Sequence, residues 1–293
     1  MSRTTLFVAS LLVSAPAAAF AETTYLSFGA SYNTFSAGSF SANVTRLDAA
    51  YEGQIDKLTY DVVVSSNRYK EGSSDHTFSS LDLLLGYDVS DALTILGGVS
   101  VSNPYDDDTV TLSIGAEYAT GPWTYGGIVS STRVDGDSSE LGELYVDYNS
   151  GPFEAYASVL VNFDEERDTF YRAGVAYEND AFDTSLDAVM GDDYSIIEAA
   201  GKYNINTNFR LFGSVGAFLL EDENIYETRI GAGYMVSDNL WIDGFYNRMS
   251  GDLETGDGFG IMVSYEFGSR RLRAADRLTT YSEIANKFPF LGT

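Results

Sequence analysis

The sequence predicts an all-β chain of sixteen antiparallel strands in an up-and-down barrel. Three observations predict it. An aromatic marker recurs about every thirty residues. Apolar and polar residues alternate with period two inside each repeat. No segment after the N-terminal leader holds the roughly 18 apolar residues that a membrane-crossing helix needs.

The recurring marker is tyrosine. Tyr51, Tyr87, Tyr118, Tyr148, Tyr177, Tyr203, Tyr234 and Tyr265 follow one another at gaps of 26 to 36 residues. A short polar turn follows most of them, and then an apolar or aromatic residue such as Leu93, Trp123, Phe153, Phe182, Phe209 or Leu240. A period near thirty also suits a helical solenoid, so the spacing inside each repeat decides. Leu81, Leu83, Leu85 and Tyr87 alternate with Ser80, Asp82, Leu84 and Gly86. Val110, Leu112, Ile114, Ala116 and Tyr118 alternate with Thr111, Ser113, Gly115 and Glu117. A helix would show period 3.6; period two means strands with one apolar and one polar face.

Each repeat is therefore a hairpin, and eight tyrosines mark eight hairpins. The expected strands span 24–33, 40–51, 56–67, 77–87, 92–102, 109–119, 122–132, 140–149, 152–163, 168–178, 181–190, 194–204, 208–219, 225–236, 239–248 and 257–267. Most reach the roughly 9–11 residues that a tilted strand needs to cross a bilayer.

The N-terminus reads as a secretory signal peptide over residues 1–21. Arg3 gives a positive start, residues 6–13 a short apolar stretch, and Ala19-Phe20-Ala21 a small-x-small cleavage site. The chain has no cysteine, so it is not a small disulfide-stapled scaffold. Its formal charge is −26, from 43 acidic and 17 basic residues. That balance argues against nucleic acid as a partner, because phosphates need Lys and Arg. With 21 Tyr, 18 Phe and 28 Gly against five Pro, the composition does not match a disordered acidic chain.

Alternation alone does not separate a membrane barrel from a soluble sandwich. The height of the aromatics does: tyrosines ending the apolar face at every tight turn project to one ring, where lipid tail meets headgroup. The opposite parity is too charged for a dry core, where each buried ion costs several kcal/mol. It carries Arg46, Asp48, Lys57, Asp61, Asp82, Glu117, Glu143, Asp147, Glu154, Arg172, Asp183, Asp187, Glu198, Lys202, Arg210, Glu227, Arg229, Asp243 and Glu266. These are the expected lumen-lining charges. Closure also removes sheet edges, whose unpaired backbone groups are costly in lipid.

The last strand reads Ile261-Met-Val-Ser-Tyr265-Glu-Phe267. Together with the leader, the alternating strands and the aromatic ring, this resembles the Gram-negative outer-membrane porins over residues 22–267. The resemblance implies periplasmic tight turns and external loops on the other side, here the acidic stretches 70–75, 106–108, 134–140, 164–168, 191–193, 221–224 and 252–257. It implies outer-membrane lipid and lipopolysaccharide as surroundings, small hydrophilic solutes as cargo, and a homotrimer as the candidate assembly. Outward glycines 97, 127, 213 and 244 are candidate contact points between copies. Two departures stand out. The chain continues past Phe267 to Thr293, and no external stretch is long enough to fold inward as a constriction loop.

The expected function is a passive pore, weakly cation-selective because fixed carboxylates outnumber cations on the lumen face. Arg46, Arg172, Arg210 and Arg229 form either a basic ladder facing the acids or local ion pairs. A second class is a structural or adhesive barrel that binds partners through its loops. A lipid-acting enzyme is disfavoured, since His76 is the only histidine. No spacing indicates a metal, and no cofactor motif is present. Residues 268–293 are basic, with Arg270, Arg271, Arg273, Arg277 and Lys287 against Asp276 and Glu283. Three readings of this tail stay open: a helical plug over 273–288, a segment bound to the inner rim, or no fixed structure.

Overall fold

The computed structural model describes residues 22–37, 40–72, 74–103, 109–134, 137–163, 169–192, 194–220, 224–252 and 255–268. The leader (1–21), the tail beyond Gly268 and the acidic stretches 106–108 and 164–168 lie outside the described residues. The strands are β1 Glu22–Ala37, β2 Phe40–Ile55, β3 Leu58–Glu71, β4 Ser74–Asp88, β5 Leu93–Ser102, β6 Thr109–Thr120, β7 Trp123–Val134 and β8 Asp137–Ser150. They continue as β9 Phe153–Asn162, β10 Thr169–Glu178, β11 Phe182–Met190, β12 Tyr194–Asn206, β13 Phe209–Leu220, β14 Asn224–Ser237, β15 Leu240–Gly251 and β16 Gly256–Gly268.

Every strand pairs antiparallel with its chain neighbours, and β1 closes the barrel on β16. All sixteen expected hairpin strands are present. Following register partners once round the wall returns to β1 about 18 residues higher, a shear that tilts the strands roughly 40° and sets the backbone walls about 30 Å apart.

Tight turns occupy one end. Gly121-Pro122 and Gly151-Pro152 each link two strands through two residues, with φ of 58° and 60° at the glycines. Only glycine takes that conformation readily, and it matches the strand twist in a two-residue hairpin. The other end is tighter than the sequence implies. Residues 70–75 and 134–140, expected as loops, are mostly strand: β3 runs to Glu71 and β4 starts at Ser74, while β7 runs to Val134 and β8 starts at Asp137. Backbone amides pair whatever side chains they carry, so the ladder outlasts the apolar alternation that marked it. His76 accordingly lies within β4, opposite Tyr69.

Register also explains the aromatic ring. The marker tyrosine of each even strand from β4 on pairs with the first residue of the strand before it: Leu58 with Tyr87, Leu93 with Tyr118, Trp123 with Tyr148, Phe153 with Tyr177, Phe182 with Tyr203, Phe209 with Tyr234 and Leu240 with Tyr265. Tyr51 pairs with Leu26. Ring centroids stand 4.7 Å apart for Trp123–Tyr148, 4.8 Å for Phe182–Tyr203 and 5.0 Å for Phe209–Tyr234. The eight tyrosines therefore circle the turn end at nearly one height.

Above that ring the outer wall is apolar and exposed at Phe28, Leu85, Leu112, Ile114, Leu144, Val215, Ile230 and Ile261, among others. A water-soluble surface rarely shows a contiguous apolar patch beyond a few hundred Å², whereas this one encircles the molecule. Ile114, 67% exposed, sits near the middle of the band. Ile114→Arg is expected to destabilise the folded barrel in vesicles by about 2–4 kcal/mol. Ser113→Arg, one residue away on the inner face, should destabilise it far less. Urea titration of both variants checks this; equal losses would contradict the two-faced wall.

Candidate functional site

The inner wall is the chemically distinctive surface. Inward parity is continuous through the registers, so that Asp48, Asp61, Asp82, Glu117, Glu143, Asp147, Arg172, Asp187, Glu198, Lys202, Arg210, Glu227 and Arg229 share the inner face with Arg46. Their distribution round the wall is uneven. Among the described strand residues, the inward cations are Arg46 on β2, Arg172 on β10, Lys202 on β12, Arg210 on β13 and Arg229 on β14. All lie on the arc from β10 through β16 and β1 to β2. The arc from β3 to β9 carries Asp61, Asp82, Glu117, Glu143, Asp147 and Glu154 with no inward Lys or Arg in a strand. In a ring of sixteen, β6 with Glu117 lies opposite β14 with Arg229.

The cations are mostly neutralised where they stand. Arg46 pairs with Asp48 two residues along the same strand (3.3 Å), and Arg229 with Glu227 likewise (3.1 Å). Lys202 reaches Asp183 on the adjacent strand (2.8 Å). Arg210 holds Asp243 through Nε at 2.8 Å and Nη2 at 2.6 Å. Nη2 also donates to Ser264 Oγ (3.2 Å), and the guanidinium lies 4.2 Å from the Trp241 ring. Arg172 stands over the Tyr156 ring at 5.9 Å, and Arg229 over Phe245 at 5.1 Å. Arg46, Lys202, Arg210 and Arg229 thus form local ion pairs, and the inward cations of the described strands share one arc.

The acidic arc is lined by hydroxyls as well. Ser65 and Ser80 bond at 2.8 Å, Thr111 and Thr132 at 2.8 Å, and Ser113 and Ser130 at 2.9 Å across neighbouring strands. Lower on this arc Leu84, Leu96, Ile128 and Tyr145 form a buried apolar layer. It hugs the wall because glycines lie beneath it: a Cβ at Gly115 would come within 2.7 Å of Ile128, and one at Gly98 within 3.4 Å of Leu84.

Three rows share a plan that sequence reasoning missed. Tyr145, Gly126 and Glu117 are register partners on β8, β7 and β6; the tyrosine lies over the glycine and donates to Glu117 Oε1 at 2.6 Å. Tyr156, Gly174 and Asp187 do the same across β9, β10 and β11, with a 2.9 Å bond. Arg210, Gly233 and Asp243 do so across β13, β14 and β15. A glycine in mid-strand is unfavourable by itself and marks a close approach. Here the approach is a long side chain strapped to a carboxylate two strands away. The bonded end members lie 28, 31 and 33 residues apart in sequence, so only the register brings them together.

Cavities interrupt the lining. One of about 370 Å³ lies among Arg46, Asp48, Glu198, Glu227, Arg229 and Phe245. Another of about 380 Å³ adjoins Lys202, Asp183 and Arg210. A third, about 700 Å³, opens at the turn end beside Glu117, Asp147 and Glu154.

The fold is similar to that of OccK3 (OpdO) of Pseudomonas aeruginosa, with a TM-score of 0.52 at 11% identity over 84% of this chain and 95% of that one. OccK2 (OpdF) and OccK1 (OpdK) of the same organism give TM-scores of 0.51, at 9% and 10% identity, over 84% of this chain and 97% and 98% of theirs. The chain folds as a porin-like barrel. At such low identity the similarity concerns the fold alone. No family model matches the chain, and no curated protein matches it. In this porin-like barrel no described segment folds into the lumen as a constriction loop, so the described wall presents only its own side chains to the interior.

Proposed function

We propose that this chain is a passive outer-membrane pore for small hydrophilic solutes and ions, with weak selectivity for cations. The segregated lumen carries the reading. Arg46, Lys202, Arg210 and Arg229, paired within their own arc, contribute little net field, while the facing arc of seven strands holds half-buried Glu117, Asp147 and Glu154, buried Asp61, Asp82 and Glu143, and no inward strand cation. Fixed negative charge concentrates cations and repels anions in a confined aqueous path. Sixteen strands leave such a path, where eight would be filled by side chains.

The surroundings follow from the outer wall. The tyrosine ring suits a headgroup level, and the shortness of the turns beside it supports a periplasmic position for that end. Arg68, Arg133 and Arg248 point outward above the apolar band, where the phosphates of lipopolysaccharide would meet them. Export requires removal of residues 1–21. β16 ends at Gly268 on the turn end, and the basic sequence that follows is opposite in charge to the acidic inner face, which supports docking of residues 269–293 there.

The test is planar-bilayer conductance of the refolded chain from Glu22, with and without residues 269–293, so that β16 stays whole. Ohmic conductance is expected in at least one form. A larger conductance after truncation would make the tail a plug; no conductance in either form would sink the pore reading.

A further inference from the structure

We propose that Gly126 and Gly174 determine the bore of this pore by seating Tyr145 and Tyr156 flat against the wall. The inference rests on the pore reading. Both tyrosines point inward, from adjacent strands β8 and β9. They lean in opposite directions. Tyr145 crosses β7 to reach Glu117 on β6, and Tyr156 crosses β10 to reach Asp187 on β11. Bonds of 2.6 and 2.9 Å to carboxylates two strands away require each ring to lie along the wall, because neighbouring strands are about 4.8 Å apart.

The seats are what permit this. A Cβ at Gly126 would overlap the Tyr145 ring, and one at Gly174 would overlap both the Tyr156 ring and the Asp187 carboxylate. Backbone lies behind the ring and cannot yield, so the side chain must rotate off the wall. The parted rings leave a strip of wall along β8 and β9, and the cavity of about 700 Å³ opens at its foot, beside Asp147 and Glu154. A typical narrowing loop sets a bore from chain; here two missing methyl groups set it by parking bulk.

Single-channel conductance of the full chain tests this, alongside the wild type. With walls about 30 Å apart and side chains on both sides, two rings turned inward take roughly a third of the open section, so Gly126→Ala/Gly174→Ala should lose about that share of conductance. Tyr145→Ala/Tyr156→Ala should stay within roughly a tenth of wild type, since a flat ring occupies little of the bore. Adding the tyrosine changes to the glycine pair should restore conductance. Unchanged conductance in a folded glycine pair would overturn the proposal. So would a gain of half or more in the tyrosine pair, which would place the rings in the bore from the start. The tyrosine pair decides the matter if the glycine pair does not fold. A wild type that does not conduct would instead remove the pore reading, and the bore with it.

Discussion

Arg210→Met is expected to destabilise the barrel by about 3–5 kcal/mol. Asp243 is 0% exposed and Arg210 9%. The carboxylate receives both guanidinium bonds across Gly233, and the guanidinium is further held by Ser264 and Trp241. Removing the arginine leaves a desolvated charge with its main partner gone, which is the costly case; removing both charges is mild. Arg210→Met/Asp243→Leu should therefore recover most of the loss. Arg46→Met, whose partner Asp48 is 39% exposed in its side chain, should change stability little. Urea midpoints in vesicles read all three. A single Arg210 variant within about 1 kcal/mol of wild type would mean that water reaches Asp243 and that the pair is not a structural tie.

Glu117→Lys/Asp147→Lys/Glu154→Lys, at three half-buried carboxylates that line the turn-end cavity, is expected to invert ion selectivity. Three carboxylates on the arc without inward strand cations become three cations, a swing of six charges facing the arc that holds the inward strand cations. The potassium-to-chloride permeability ratio should fall from roughly a few-fold above one to below one at low salt. At about 1 M salt the Debye length shrinks to about 3 Å, so the difference between variant and wild type should narrow. The same triple change to Gln should abolish selectivity without inverting it. Reversal potentials across a salt gradient measure this, and a ratio unmoved by the lysine variant would sink the electrostatic account.

Strand count, facing and the aromatic ring were legible in residue order because they are one-dimensional. Tyr87, Tyr118 and Tyr148 count hairpins by spacing, and alternation such as Val110-Thr111-Leu112-Ser113 assigns each side chain to a face whatever the neighbouring strand does. Strand ends were less legible. Thr77 and Asp75 carry no apolar alternation, yet their backbones pair with Arg68 and Lys70, because hydrogen bonding ignores side-chain polarity. Arc and row were not legible at all. That Arg46 and Arg229 belong to one wall while Glu117 faces them depends on where the barrel closes. That Tyr145 meets Glu117 over Gly126 depends on registers set separately at two strand pairs. Residue order is enough for a two-faced, sixteen-strand chain with an acidic inner face. How that charge is divided, and which glycines carry side chains across the wall, follows from closure and register, which are properties of paired strands and not of any one of them.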